Sequence, residues 1–280
     1  MAASRRRIAA KRRAQQAMTA RRRSERRTKV LVCSGVLVAV VAALTAVVLV
    51  LVTSPSPGAV APRNLASDGI VVGEGFRAER APAVEVGSDP IPTETATDGK
   101  TVSIQLYADY LCPNCRAFEE ENGDYLSKVV ESGAATVEFH PIAIMDRVSQ
   151  GTKYATRAAA AAVCVADLAP DSFFAVNRAL FAAQPAEHSP GLSDSELADV
   201  VGGVAGLTAR DRVLACLDDQ RFAPWVTAAT KRAVKGHFPG TDVTAFRGTP
   251  TVVVDGKEWR GEQPFTEFVT TAIGESTTHD

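Results

Sequence analysis

The chain has 280 residues, 46% of them hydrophobic, so a single folded domain with appendages is expected. The net charge of −1 conceals two opposite regions: Met1 to Lys29 hold twelve Lys or Arg against Glu25 alone, giving +11 and leaving −12 for the remainder. Five cysteines, at 33, 112, 115, 164 and 216, are too few for a small disulfide scaffold, and the odd count suggests two pairs and one bystander.

Residues 1–29 read as a basic cytoplasmic segment. Residues 30–52, VLVCSGVLVAVVAALTAVVLVLV, carry no charge and as a helix would extend about 34 Å, enough for a ~30 Å hydrocarbon core. This predicts a transmembrane helix that acts as a signal-anchor. A cleaved signal peptide is the alternative, but its apolar region normally runs about 7 to 15 residues, and Pro62 directly follows the one Ala-x-Ala sequence, Ala59 to Ala61. The positive-inside rule then leaves the N-terminus cytoplasmic and the acidic bulk outside the cell membrane as a single-pass protein. A nucleic-acid arm is the rival reading of the basic run; orientation beside a span explains it more simply, and no nucleic-acid partner is expected. Cys33 reads as a small apolar residue within the span.

Residues 53–68, rich in Pro, Ser and Ala, read as a linker, with a folded domain over 69–280. Thr101 to Ala108 alternates as a strand does, CPNC follows, and Phe118, Tyr125, Leu126, Val129 and Val130 predict a helix over 116–132 that ends at Gly133. A second strand is predicted over 136–144. A helical block then covers about 150–237, with a capping box at Ser193 and Glu196 and a weaker one at Thr208 and Asp211. Strand character returns over 251–255, where Asp255-Gly256 signals a tight hairpin. Phe265, Phe268, Val269, Ala272 and Ile273 predict a closing helix.

A C-x-x-C sequence that opens a helix has a redox rationale. The helix N-terminus stabilises a thiolate on the first cysteine, here Cys112, read as an exposed nucleophile, while Cys115 lies one turn inward to resolve a mixed disulfide. Pro113 fits the first helical turn, where its missing N–H costs nothing.

The stretch Tyr107-Ala108-Asp109-Tyr110-Leu111-Cys112-Pro113-Asn114-Cys115, together with Gly248-Thr249-Pro250-Thr251-Val252, resembles the active-site and cis-proline segments of DsbA-like thiol-disulfide oxidoreductases. With the expected anchor, the chain resembles the membrane-anchored actinobacterial type of that family. The resemblance covers roughly 69–273 and implies an α/β thioredoxin fold with an inserted helical domain, here preceded by one transmembrane helix. It further implies that Pro250 faces the Cys112 sulfur and that the Thr249 backbone pairs with a bound substrate strand. Some exported members are similar in carrying a second, structural disulfide in the helical block, which implies a Cys164–Cys216 bridge. Reduced exported proteins are then the substrates, reoxidised through a membrane quinone-linked partner of VKOR-like or DsbB-like kind. The Pro-Asn pair differs from the Gly-Pro of thioredoxins and from the Pro-His of the best-known DsbA proteins, so the redox poise does not carry over.

The rival readings are a four-cysteine zinc site, which lacks its second C-x-x-C, and a non-catalytic module with a permanent CPNC disulfide. His140, His188, His237 and His279 are scattered without ligand spacing, so no metal and no cofactor are expected. Asp109 is read either as a proton carrier for Cys115 or as a solvated loop carboxylate. Glu119 to Glu121 read as a solvated helix face, and Trp225 and Trp259 as packing residues. Oxidation of clients is the expected direction, since a stabilised thiolate stabilises the reduced enzyme. Thr249 before Pro250 also occurs in disulfide isomerases of the superfamily, yet no dimerisation domain of their kind precedes Gly69.

Overall fold

The computed structural model describes residues 60–93, 101–236, 238, 240–241 and 243–277. The basic segment, the expected transmembrane helix and residues 53–59 lie outside them, and among the described residues no helix is long and apolar enough to cross a membrane.

Among the described residues six strands form one sheet: β1 (Ile70–Gly73), β2 (Arg77–Ala78), β3 (Val102–Ala108), β4 (Ala135–Pro141), β5 (Thr251–Val254) and β6 (Lys257–Trp259), ordered β2-β1-β4-β3-β5-β6. Among the described residues only β3 and β4 pair in parallel, with Ile104 opposite Val137 and Leu106 opposite Phe139. Helix α1 (Pro113–Glu131) connects them, because parallel neighbours need a crossover. The apolar alternation sends Val102, Ile104, Leu106 and Ala108 into the main core with Val137 and Phe139. The opposite face is buried as well, holding Gln105 and Tyr107, so β3 is the covered centre of the sheet. Each such fully buried aliphatic side chain contributes about 1.5–3 kcal/mol.

Between β4 and β5 stand α2 (Tyr154–Leu168), α3 (Phe173–Ala182), α4 (Asp194–Gly202), α5 (Arg210–Asp218) and α6 (Ala223–Val234), and α7 (Phe265–Thr277) closes the chain. Helix α2 is buried around its whole circumference. Its alanines leave room for neighbouring helices to approach closely, which makes it the core of the helical block. At the end of the sheet, Asp255 and Gly256 take φ of 46° and 78°, which suits the tight turn that pairs Val254 with Lys257.

Two expectations need correction, and two strands carried no sequence signal. The domain starts before Gly69: Leu65 is buried, the Asn64 side chain bonds Ala166 O and Ala81 N at 2.8 and 3.0 Å, and Arg63 pairs with Asp167. Composition marked this stretch as linker, but its described polar side chains Arg63, Asn64, Ser67 and Asp68 each have a distant partner. Strands β1 and β2 were also invisible, being too short for a periodic signal. The Ser193–Glu196 capping box is complete. At α5, by contrast, the N-cap is Ala209 at φ 49° with no side-chain cap bond, so the Thr208–Asp211 box does not form.

Candidate active site

Cys112 is the N-cap of α1, extended at φ −77° and ψ 117°, with Pro113 in the first turn. Its carbonyl accepts the N–H groups of Cys115 and Arg116 at 3.1 and 3.2 Å, and its own N–H donates to Asp109 O at 3.0 Å. Those bonds close the strand-to-helix turn and set the sulfur over the positive end of a 19-residue helix. The Cys112 Sγ–H donates to the Thr249 carbonyl at 3.3 Å, and the Thr249–Pro250 peptide bond is cis. Pro250 directly precedes β5, which pairs with β3 through Tyr107 and Thr251, so adjacency of the two strands brings the 249–250 loop to the cysteines.

The two thiols are unbridged and differ sharply. Hydrogen bonding from Cys115 pulls the Cys112 thiol down to about 6 against the cost of burial, assisted by Thr249 and the backbone N–H groups of Cys115 and Asn114. Burial pushes the Cys115 thiol well above its ordinary range, and the neighbouring Cys112 adds to this. Thr249 also favours the thiolate of each cysteine. Such a pair can undergo thiol–disulfide exchange: a low thiol that attacks or leaves as thiolate, and a high one that resolves and ends protonated. Cys112 is not exposed as expected. It is 6% exposed, because the Thr249 carbonyl stands against its sulfur.

Asp109 is wholly buried, which removes the solvated-loop reading. Burial raises its carboxyl to about 7, although Leu111, Met145 and Ile144 N–H groups bond the ionised form. Glu119 also departs from the solvated-face expectation, since it is buried and paired with Arg178 at 3.3 Å, while Glu120 and Glu121 are exposed. Trp259 packs half-buried against Phe118 and Phe265, and Trp225 is half-buried against the core.

Asn177, Arg178 and Gln184, which carry no signal in the sequence, complete the surroundings. The Tyr110 hydroxyl donates to Asn177 Oδ1 at 2.7 Å, Arg178 reaches Asp124 at 2.7 Å, and Arg116 bonds Gln184 O at 3.4 Å. All three ties run from the active-site turn or α1 to α3 and the residues just beyond it. Asn177 lies 67 residues from Tyr110, so no local pattern announces the contact.

Cys164 of α2 and Cys216 of α5 are joined by a disulfide with Cα atoms 5.9 Å apart, and both are fully buried. That bond consumes two donors of the four-cysteine zinc alternative, and among the described residues no three His, Cys, Asp or Glu side chains gather as a metal site. His140 is buried and stacked on Tyr107, His188 is exposed, and His237 and His279 lie outside the described residues.

The thioredoxin family model matches residues 98–272. Among solved structures, the chain is similar to the reduced disulfide bond oxidoreductase DsbG of Mycobacterium tuberculosis, at 27% identity over 76% of this chain and 88% of that one, TM-score 0.55. Reduced DsbA of the same organism is similar at 26% identity, with 76% and 93% of the two chains covered, TM-score 0.55. Oxidised BdbD of Bacillus subtilis, at 19% identity over 79% and 100%, TM-score 0.53, shares the fold. Among curated protein sequences none matches the chain.

Proposed function

The chain belongs to the thioredoxin family, and from that premise we propose a membrane-anchored enzyme that oxidises cysteines of exported proteins outside the cytoplasmic membrane. It is a thiol–disulfide oxidoreductase, similar along most of its length to the mycobacterial DsbG and DsbA enzymes. The observation that carries the oxidising direction is the inequality of its thiols, Cys112 held at about 6 and Cys115 far above.

The cycle starts from the Cys112–Cys115 disulfide. A client thiolate attacks Cys112 Sγ, forming a client–Cys112 bond and breaking the bond to Cys115, which leaves as thiolate and takes a proton. A second client thiol, losing its proton, attacks the client sulfur and releases Cys112 as thiolate. The client has then lost two electrons and gained a disulfide, and the enzyme has gained both electrons. Because the environment of Cys112 favours the thiolate, the reduced enzyme is stabilised and the disulfide is readily given away. Thr249 would offer its backbone to an extended client segment beside Cys112, and Pro250 would keep the approach to the sulfur narrow. A membrane quinone-linked partner, VKOR-like or DsbB-like, would return the enzyme to its disulfide form.

Anchoring rests on the +11 segment ahead of an uncharged 23-residue run. The direction is tested with the full chain on a reduced protein and on one with scrambled disulfides. Fast oxidation of the first with little rescue of the second is expected. Clear rescue of the scrambled protein with slow oxidation of the reduced one would reassign the enzyme as an isomerase.

A further inference from the structure

Every polar group of Asp109 is committed to the surroundings of the dithiol. Its carbonyl accepts the Cys112 N–H at 3.0 Å, and its N–H points at Cys115 Sγ at 3.5 Å. In the carboxylate, Oδ1 accepts the Leu111 N–H at 2.8 Å, while Oδ2 accepts those of Ile144 and Met145 at 2.7 and 2.9 Å. One buried side chain therefore fastens the active-site turn to the loop that follows β4.

All three partners of the carboxylate are N–H donors. Only the ionised form satisfies them together at full strength, since an added proton sets an O–H among donors. Burial works in the opposite direction and brings the carboxyl to about 7, so this fastening changes strength near neutral pH. The titratable groups that face Asp109 are Cys112 and Cys115 at the start of α1, Tyr110 in the same turn, and Tyr154 of α2. Among the described residues no Arg, Lys or His pairs with it.

Resting on the oxidoreductase reading above, we propose that Asp109 is a positioning residue: ionised, it locks the turn that presents Cys112 to the loop after β4, and protonated, it loosens that lock. This role differs from proton carriage for Cys115. The carboxylate oxygens are occupied by backbone donors, and it is the backbone N–H of Asp109 that reaches the Cys115 sulfur.

The test follows alkylation of Cys112 by iodoacetamide from pH 5 to 9 in the reduced full chain. The unaltered protein is expected to show two inflections, one near 6 from Cys112 and one near 7 from Asp109. Asp109→Asn keeps the shape but sets an NH₂ group against N–H donors. It should erase the second inflection and lower the plateau rate about tenfold, the scale of one charge-assisted hydrogen bond. Asp146→Asn is the control, because Asp146 caps Thr156 through its N–H and hydroxyl at 2.9 and 2.6 Å just beyond Met145. It should reduce stability and leave both inflections in place. An unchanged inflection and plateau in Asp109→Asn would overturn the proposal. If that variant does not fold, NMR of the unaltered protein decides. The Ile144 and Met145 amides must shift with the same midpoint as the Asp109 carboxyl, and a carboxyl that titrates without moving them overturns the role. Absence of Cys112 reactivity at every pH would instead overturn the oxidoreductase reading.

Discussion

Cys112 and Cys115 stand three residues apart yet are pushed to opposite sides of the ordinary thiol range, and a stable division of labour follows. Replacing Cys115 by Ala should trap client proteins on Cys112, while Cys112→Ser should abolish both trapping and turnover; non-reducing gels read the outcome, and oxidation by the Cys112 variant would reverse the assignment. The depressed Cys112 value also fixes a sign. In the dithiol form its contribution to stability is full above the unfolded thiol value of ~8.5 and is lost as pH falls through about 6. The melting temperature of the dithiol form should therefore gain on that of the disulfide form between those pH values. The cysteine pair was legible in the sequence because spacing and a helix start are local properties. The burial of Asp109 was not, since Ile144 lies 35 residues away and composition carries no trace of that contact.

Helices α2 and α5 are covalently joined, and α3 holds the active-site helix by Tyr110–Asn177 and Glu119–Arg178. The helical block is thus a brace for α1 as well as an insertion. The cysteine count suggested a second pair, and resemblance supplied its partners. The brace itself was hidden, because Asn177 and Arg178 sit in an apolar helical stretch with nothing to mark what they face. A cross-link over a sequence separation of 52 restricts the unfolded chain, and in the loop-entropy account its loss costs about 4 kcal/mol. Replacing Cys164 and Cys216 together by Ser should lower the melting temperature by roughly 8–16 °C for a domain of this size. Cys112 should still react with a disulfide substrate, since the bridge joins α2 to α5 and takes no part in the exchange. A melting temperature unchanged by the double replacement would remove the structural role.

At the scale of the whole chain, the proposed topology rests on charge and redox chemistry together. The first 29 residues carry +11 and precede 23 uncharged ones, whereas the remainder carries −12. In the proposed topology, retaining the basic end in the cytoplasm avoids moving about a dozen cations across the bilayer, and the acidic domain would be the part exported. An outward-facing domain would also find the oxidising surroundings in which a buried bridge such as Cys164–Cys216 forms and persists, while cytosolic thiol systems would oppose it. The proposed topology predicts that a reporter enzyme active only outside the cytoplasm works when fused after Asp280 and fails when fused before Met1. Moving the positive charge should move the outcome: exchanging the arginines among residues 5–27 for glutamine should weaken the orientation signal and reduce the active C-terminal fusion. If the N-terminal fusion were the active one in the unaltered chain, CPNC would face the cytoplasm. The oxidase proposal would then lose its compartment, while the exchange chemistry of Cys112 and Cys115 would stand.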